Sequence, residues 1–362
     1  MNTFVEIIEH GIVTSFPDEF LGYFGWPSAT RMDDGTLVVV ASGLRNAHVC
    51  PFGRTILCKS YDEGRTWTSP TVVNDLPLDD RDAGIVNLGG ERLLLAWFTS
   101  DTRHYTTVAA DPDARYIAAL SRFTDASVAR WFGSWVRRSD DGGDTWGPPV
   151  RVPVTTPHGP IRLTNGELLY FGKVFGMQGG GDITTYHSAD DGMTWQARGS
   201  VPLHPGTQPA HYHEPHVVAL AGGTLIGLIR IQNMPSTPKL ENLNIPDFSL
   251  MQTESTDGGE TWSIARPLGF HGSPPHLLRH TSGVLVGVYG YRLPPYGQRA
   301  MLSHDGGATW AHDYILRDDG PDWDLGYPAS VELADGSILT VYYQKVASTE
   351  EKCSLLWTRW RF

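Results

Sequence analysis

Cysteine is scarce in this chain. Cys50, Cys58 and Cys353 are the only three in 362 residues; they are odd in number and match no zinc-ligand spacing, which excludes a disulfide framework and a cysteine-built metal centre. Small thiols in a reducing compartment are what remains. No apolar run approaches the roughly 18 residues of a membrane span, and the stretch from Met1 lacks the basic region and apolar core of a secretory signal, so a cytoplasmic protein without a membrane partner is expected. Basic residues are few as well. Twenty-eight Lys and Arg against 40 Asp and Glu give a net charge of −12, which disfavours nucleic acid as a partner and requires any anionic ligand to be met by a local cluster of arginines. No metal-binding or cofactor-binding pattern is found, and oligomeric state is left open.

Glycine, proline and tryptophan are abundant, at 40, 25 and 12, and charged residues make up only 19%, a balance that fits an all-β protein with many tight turns. An internal repeat explains them. Ser-x-Asp-x-Gly-x-Thr-Trp, or a close variant, recurs at Ser60–Trp67, Ser139–Trp146, Ser188–Trp195, Ser255–Trp262 and Ser303–Trp310. In such a turn Asp caps backbone N–H groups, Gly takes a conformation that other residues avoid, and Trp packs between neighbouring sheets. Interleaved hairpins turn at Asp34-Gly35, Gly89-Gly90, Asn165-Gly166, Gly222-Gly223, Ser282-Gly283 and Asp335-Gly336. Each unit is therefore strand, Gly turn, strand, strand, Asp turn, strand. The fold class is all-β: a six-bladed β-propeller of four-stranded blades, spanning 1–362 as one domain. The last unit lacks an Asp turn, so its outer part is Ser354–Phe362 with Phe4–Val13 added to close the ring. Insertions at about 100–133 and 233–248 interrupt the period over one face; the first holds a short helix over 124–132 capped by Thr124 or Asp125.

The stretch from His213 to Arg230 carries a strand, the Gly222-Gly223 turn and a returning strand, which brings Glu214 and Arg230 to the same end of one hairpin. Such a pair is either a structural ion pair or the lining of a mouth. Counting nine residues back from the second turn residue of each hairpin gives Trp26, Arg81, Pro157, Glu214, Pro274 and Tyr327, one position per blade around the axis. Asp82, His158 and His276 lie one or two residues further in.

With the five Asp turns, the six-unit period and the His213-Glu214-Pro215-His216-Val217-Val218…Arg230 stretch, the chain resembles the sialidase (neuraminidase) superfamily, whose Asn-Glu-Pro-x-Val-Val…Arg segment carries a catalytic Glu and one of three substrate-gripping arginines. The resemblance implies those roles for Glu214 and Arg230. It implies the nucleophile's role for Tyr327, eight residues before the Asp335-Gly336 turn. Two departures stand out. Phe24-Gly25-Trp26-Pro27 has Gly where the family's first blade has Arg, and the stretch 45–53 has Pro51 where the family has its acid/base Asp. Arg292 and Arg299 are both candidates for the third arginine.

Tyr is a weak nucleophile at its free pKa near 10 and needs a carboxylate to take its proton; Glu214 would do so. A neutral nucleophile suits an anomeric carbon bearing a carboxylate, because Asp or Glu would be repelled there. His48 or Asp82 would protonate the leaving oxygen in place of the missing acid. Arg45, Arg81, Arg230, Arg292, Arg299, Trp26, His158 and His276 are the candidate substrate-binding residues. A carbohydrate hydrolase acting on an anionic sugar is the first reading. A polysaccharide lyase eliminating at a uronate, and a carbohydrate-binding propeller using Trp26, Trp97, Tyr289, Tyr291 and Trp323 as stacking platforms, are the others.

Overall fold

In the computed structural model, which describes residues 4–175 and 181–362, the strands form six antiparallel sheets in a ring. Blade 1 runs through Tyr23–Arg31, Leu37–Arg45, Arg54–Ser60 and Thr71–Asn74, and blade 2 through Asp79–Gly89, Arg92–Ser100, Gly133–Ser139 and Val150–Val152. Blade 4 begins at Tyr212–Ala219 and returns by Leu225–Ile231. Blade 6 is Gly326–Glu332, Ile338–Gln344 and Ser354–Arg361, completed by Glu6–Thr14 from the other end of the chain, with Glu6 opposite Arg361 and Ile12 opposite Leu356. The expected closure is thus present. It leaves the C-terminal strand paired on both sides.

Why the sheets stand face to face follows from period-two alternation with both faces apolar. Leu37, Val39 and Ala41 pack toward blade 6, while Val38 and Val40 on the same strand pack toward blade 2. Among the described residues the apolar core divides into six clusters, each lying between two adjacent blades.

The Asp turns close the outer hairpins as expected. In the first, Asp62 accepts from the Thr66 backbone N–H at 2.9 Å and from its hydroxyl at 2.7 Å, and Ser60 accepts from the Gly64 N–H at 2.8 Å. Neighbouring blades are also stapled here: the Trp262 indole donates to Thr185 at 2.9 Å and the Trp310 indole to Gln252 at 2.8 Å, each in the preceding blade. The other three tryptophans donate to their own turn's Gly carbonyl.

Blade 3 departs from the pattern. Its inner strand is broken into Val154–Thr155 and Ile161–Arg162, both paired with Leu168–Val174. Pro157, His158, Gly159 and Pro160 stand between the pieces; two prolines remove ladder donors. The two insertions leave from second strands, on the face opposite the Gly and Asp turns. Residues 101–132 hold the expected helix, Asp125–Trp131, capped by Thr124 in a reciprocal bond with Ser127, and two further short helices, Tyr105–Val108, without a side-chain cap, and Ala114–Leu120, capped by Asp113. The other insertion holds a single 3₁₀ turn, Leu240–Leu243.

Candidate active site

Four inner strands carry a one-residue register shift at the same level, at Trp26, Asp82, Glu214 and Tyr327. Each of these has positive φ, at 54°, 50°, 44° and 51°. Left-handed backbone costs a non-glycine residue about 1–2 kcal/mol, and here it turns four side chains out of the pleat toward the axis. Blades 3 and 5 have Pro157 and Pro274 at this level, whose rings lock φ negative, so these blades project no such side chain.

This corrects the ring position expected for blade 2, which falls at Asp82 and not at Arg81. In the Gly89-Gly90 turn Gly89 is opposite Arg92 and both glycines have positive φ, so the second glycine lies at the turn's centre; in the blade 1, 4 and 6 hairpins the positive-φ glycine lies one residue after it. Counting back nine therefore overshoots by one.

The four bulged residues floor a cavity of about 630 Å³ that His48, Arg81, Arg230, Phe248, Arg292 and Trp323 help to line. At its base the Tyr327 hydroxyl donates to Glu214 Oε1 at 2.5 Å. Arg230 Nη1 donates to Glu214 Oε2 at 2.5 Å and to the Tyr327 oxygen at 3.3 Å, and its Nη2 donates to Gln232. Burial pushes the Glu214 carboxyl up, but the Arg230 charge and the Tyr327 hydroxyl outweigh it and hold the group below the usual carboxylate value. Burial, reinforced by the Glu214 charge, raises the Tyr327 phenol well above 10. The resting state is a carboxylate beside a protonated tyrosine. Burial also raises Asp82, which hydrogen-bonds to no side chain among the described residues, to about 7, with Arg81 opposing and Glu214 reinforcing the shift.

Arg81 lies over the Trp26 ring, with its guanidinium carbon 4.1 Å from the centroid. Its bonds to Asp79 and the His48 carbonyl are long, at 3.4 and 3.5 Å, so its donors are nearly free. Arg292 is held by the Leu325 carbonyl at 2.9 and 3.2 Å, 5.7 Å from the Tyr327 ring. Of Arg292 and Arg299, Arg292 lines the cavity and Arg299 does not. Arg299 points away, donating to the Arg317 carbonyl at 2.8 Å over the Tyr291 ring. His48 Nδ1 lies 2.8 Å from Asp324 and 3.0 Å from the Tyr23 hydroxyl, and burial lowers its pKa.

Three further expectations are corrected. Arg45 is fully buried in a two-pronged pair with Asp79, at 2.5 and 3.0 Å, and does not reach the cavity. His158 and His276 lie deeper on the axis, and neither lines the cavity. Two strand steps separate Glu214 from His216 and Pro274 from His276, enough to carry a side chain from the floor into the shaft beneath. Of the aromatic platforms, Trp97 and Tyr289 are core residues, whereas Trp323 is 58% exposed at the cavity rim. Sequence reasoning passed over Phe248, whose ring lies 4.8 Å from the Arg230 guanidinium carbon, and Asp324; the Pro246-Asp247-Phe248 end of the second insertion was the available signal for the former.

A second chamber of about 440 Å³ shares Asp82, Phe98 and Glu214 with the first and is lined also by Lys173. Burial pulls the Lys173 ammonium down to about 8; it donates to the Tyr212 carbonyl at 2.7 Å.

The family model described as a BNR repeat-like domain matches residues 120–341, more than half of the chain. The chain belongs to that family. Among solved structures this BNR-repeat protein is similar to a protein of unknown function from Dyadobacter fermentans, with 22% identity, a TM-score of 0.76 and 99% of each chain covered. It is similar to Trypanosoma rangeli sialidase in complex with the inhibitor DANA, with 17% identity and a TM-score of 0.65. There the match covers 98% of this chain and 59% of that one, so the BNR-repeat protein spans little more than half of that enzyme. The Ruminococcus gnavus intramolecular trans-sialidase in complex with oseltamivir carboxylate matches with 15% identity and a TM-score of 0.65 over 97% of each chain. No curated protein matches the chain. Among its structural neighbours are sialidases, and at these identities the likeness is one of fold.

Proposed function

We propose that the chain is an exo-acting glycoside hydrolase for a sugar bearing a carboxylate, with Tyr327 as nucleophile. The observation that carries this reading is the Tyr327–Glu214 hydrogen bond of 2.5 Å at the base of a cavity, with Arg230 donating to both partners. As the Tyr327 oxygen bonds to the anomeric carbon, its proton passes to Glu214, and Arg230 offsets negative charge on the phenol oxygen. The bond to the leaving oxygen breaks, and Asp82, protonated near neutrality, supplies that oxygen's proton. Water then attacks the tyrosyl intermediate, with Asp82 as base, Glu214 returns the proton to the phenol, and configuration is retained. Arg81 and Arg292 receive the sugar's carboxylate together with Arg230. Arg81 enters from blade 2, over the Trp26 ring of blade 1.

The deciding experiment incubates purified protein with aryl glycosides of nonulosonic and uronic acids and reads released phenol. Tyr327→Phe should lower turnover by a factor of about 10³ or more with folding intact, since one hydroxyl is lost and no cavity opens. Near-normal turnover in that variant would sink the assignment.

A second reading has one observation of its own. With Asp324 accepting from His48 Nδ1–H, the other nitrogen, Nε2, is left with a lone pair, the arrangement of a base that removes a proton α to a uronate carboxylate. Ultraviolet absorbance of an unsaturated uronate, lost in His48→Gln, would favour elimination over hydrolysis.

A further inference from the structure

The axis opens on the other face too, through a chamber of about 410 Å³ ringed by the ends of the inner strands, with no residue in common with the candidate active site. Three arginines stand at its mouth, Arg31, Arg162 and Arg279, from blades 1, 3 and 5. Among the described residues none has a carboxylate within 4 Å and none makes a side-chain hydrogen bond. Arg31 Nε is buried without a partner. The nearby acids make their hydrogen bonds to other groups, although, after the Gly90 and Asn87 hydrogen bonds, the Arg162 charge helps to hold the Asp33 carboxyl down. Asp33 accepts from Asn87 at 2.9 Å and from the Gly90 N–H at 2.7 Å, and Glu332 accepts from the Thr281 N–H at 2.9 Å and pairs with His280 at 3.3 Å. In a chain of net charge −12, three guanidiniums without an ion pair within 4 Å, against the one lining carboxylate of Glu332, are a local reversal of sign.

The inner end of the chamber is formed by three histidines. His216 and His276 stack with centroids 4.4 Å apart, and His158 stands edge-on to both, at 5.3 and 4.9 Å. Their protonation follows from their partners. The Leu277 N–H donates to His216 Nδ1 at 2.9 Å and the Ser330 N–H to His276 Nδ1 at 3.4 Å, which puts the remaining proton of each neutral ring on Nε2. Neither Nε2–H has a protein acceptor among the described residues. His158 is only 3% exposed, and both its ring nitrogens lack a partner. A buried imidazole left unsatisfied destabilises the fold unless something in the chamber bonds to it.

We infer that this chamber is a binding site for a compact polyanion of the phosphate type, gripped by the forked donors of Arg31, Arg162 and Arg279, with imidazole N–H groups offered at its inner end. Arginine forks match phosphate oxygens two at a time, and neutral imidazole donors complete such a site without the cost of burying further charge.

Inorganic pyrophosphate is the probe. Titrated calorimetrically into the full chain at low ionic strength, it should bind one to one, weaken as salt is added, and move the His158, His216 and His276 ring resonances. Arg162→Gln should weaken it by about tenfold, and the R31Q/R162Q/R279Q variant by a hundredfold or more. A neutral polyol of similar size should give no heat. No binding to the unaltered chain at ~10 mM would overturn the proposal. So would equal binding to the triple variant, which would place the anion elsewhere, as at Arg81, Arg230 and Arg292.

Discussion

At the scale of single residues, the candidate site is made of groups held away from their ordinary protonation. Asp82 has a folded pKa of about 7 against an unfolded value near 3.9, so the folded chain keeps a proton there that the unfolded chain releases. With a raised carboxyl pKa, folding is favoured below pH 4, and that contribution is lost as pH climbs to 7. Asp82→Asn should therefore raise the Tm at pH 8 and leave it unchanged at pH 4. If Asp82 is the proton donor, activity of the unaltered chain should fall as pH rises through about 7, and the substitution should remove that limb. A variant Tm equal to that of the unaltered chain at both pH values would mean that the carboxyl is solvated and ordinary. The same cavity explains why Arg230 is a poor choice for testing substrate charge: its removal strands Glu214 as an uncompensated buried anion, a loss of about 3–5 kcal/mol. Arg292→Gln, whose partner is only a carbonyl, is cleaner and should weaken a carboxylate-bearing ligand about tenfold while sparing its neutral amide.

Among the elements, the Asp turns are acid-sensitive fastenings. Asp141, Asp257 and Asp305 are each held at about 2, first by the hydroxyl and then by the N–H of the Thr four residues on. A depressed carboxyl pKa stabilises the fold above about pH 4 and ceases to do so as pH falls toward 2. Asp305→Ala should lower the Tm by roughly 2–4 °C at pH 7, and by progressively less as the pH approaches 2. A loss that stays constant over that range would show the hydrogen bonds to be independent of charge. In Asp257 and Asp305 variants the effect should reach the preceding blade, because Thr185 and Gln252 anchor on the tryptophans of those turns.

For the whole molecule, ring closure concentrates risk in one ladder. Glu6–Thr14 covers Ser354–Arg361, and its removal would bare a strand whose Leu355, Leu356, Trp357 and Trp360 are buried. A chain lacking residues 1–14 should lose cooperative unfolding and aggregate at micromolar concentration, as judged by light scattering, since an open apolar edge is a template for pairing. A soluble monomer with an unchanged Tm would show that blade 6 stands on three strands.

The fold was legible because repetition amplifies weak local signals: five Asp turns and six Gly-type hairpins, each a matter of short-range hydrogen bonding and positive φ, set strand number, blade number and closure. Glu214 and Tyr327 were legible for the same reason, since their distance from a turn is counted along one strand. Distances between blades are not written in that count. That Arg45 spends its charge on Asp79, that Arg292 turns inward while Arg299 turns away, and that His158 and His276 lie below the floor all depend on which neighbour each side chain meets across a blade boundary. Asp82 shows the limit most directly. A turn whose glycine sits one residue earlier moved the bulge from Arg81 to Asp82, and only the assembled ring, by burying that carboxyl near Glu214, decided that it should keep its proton.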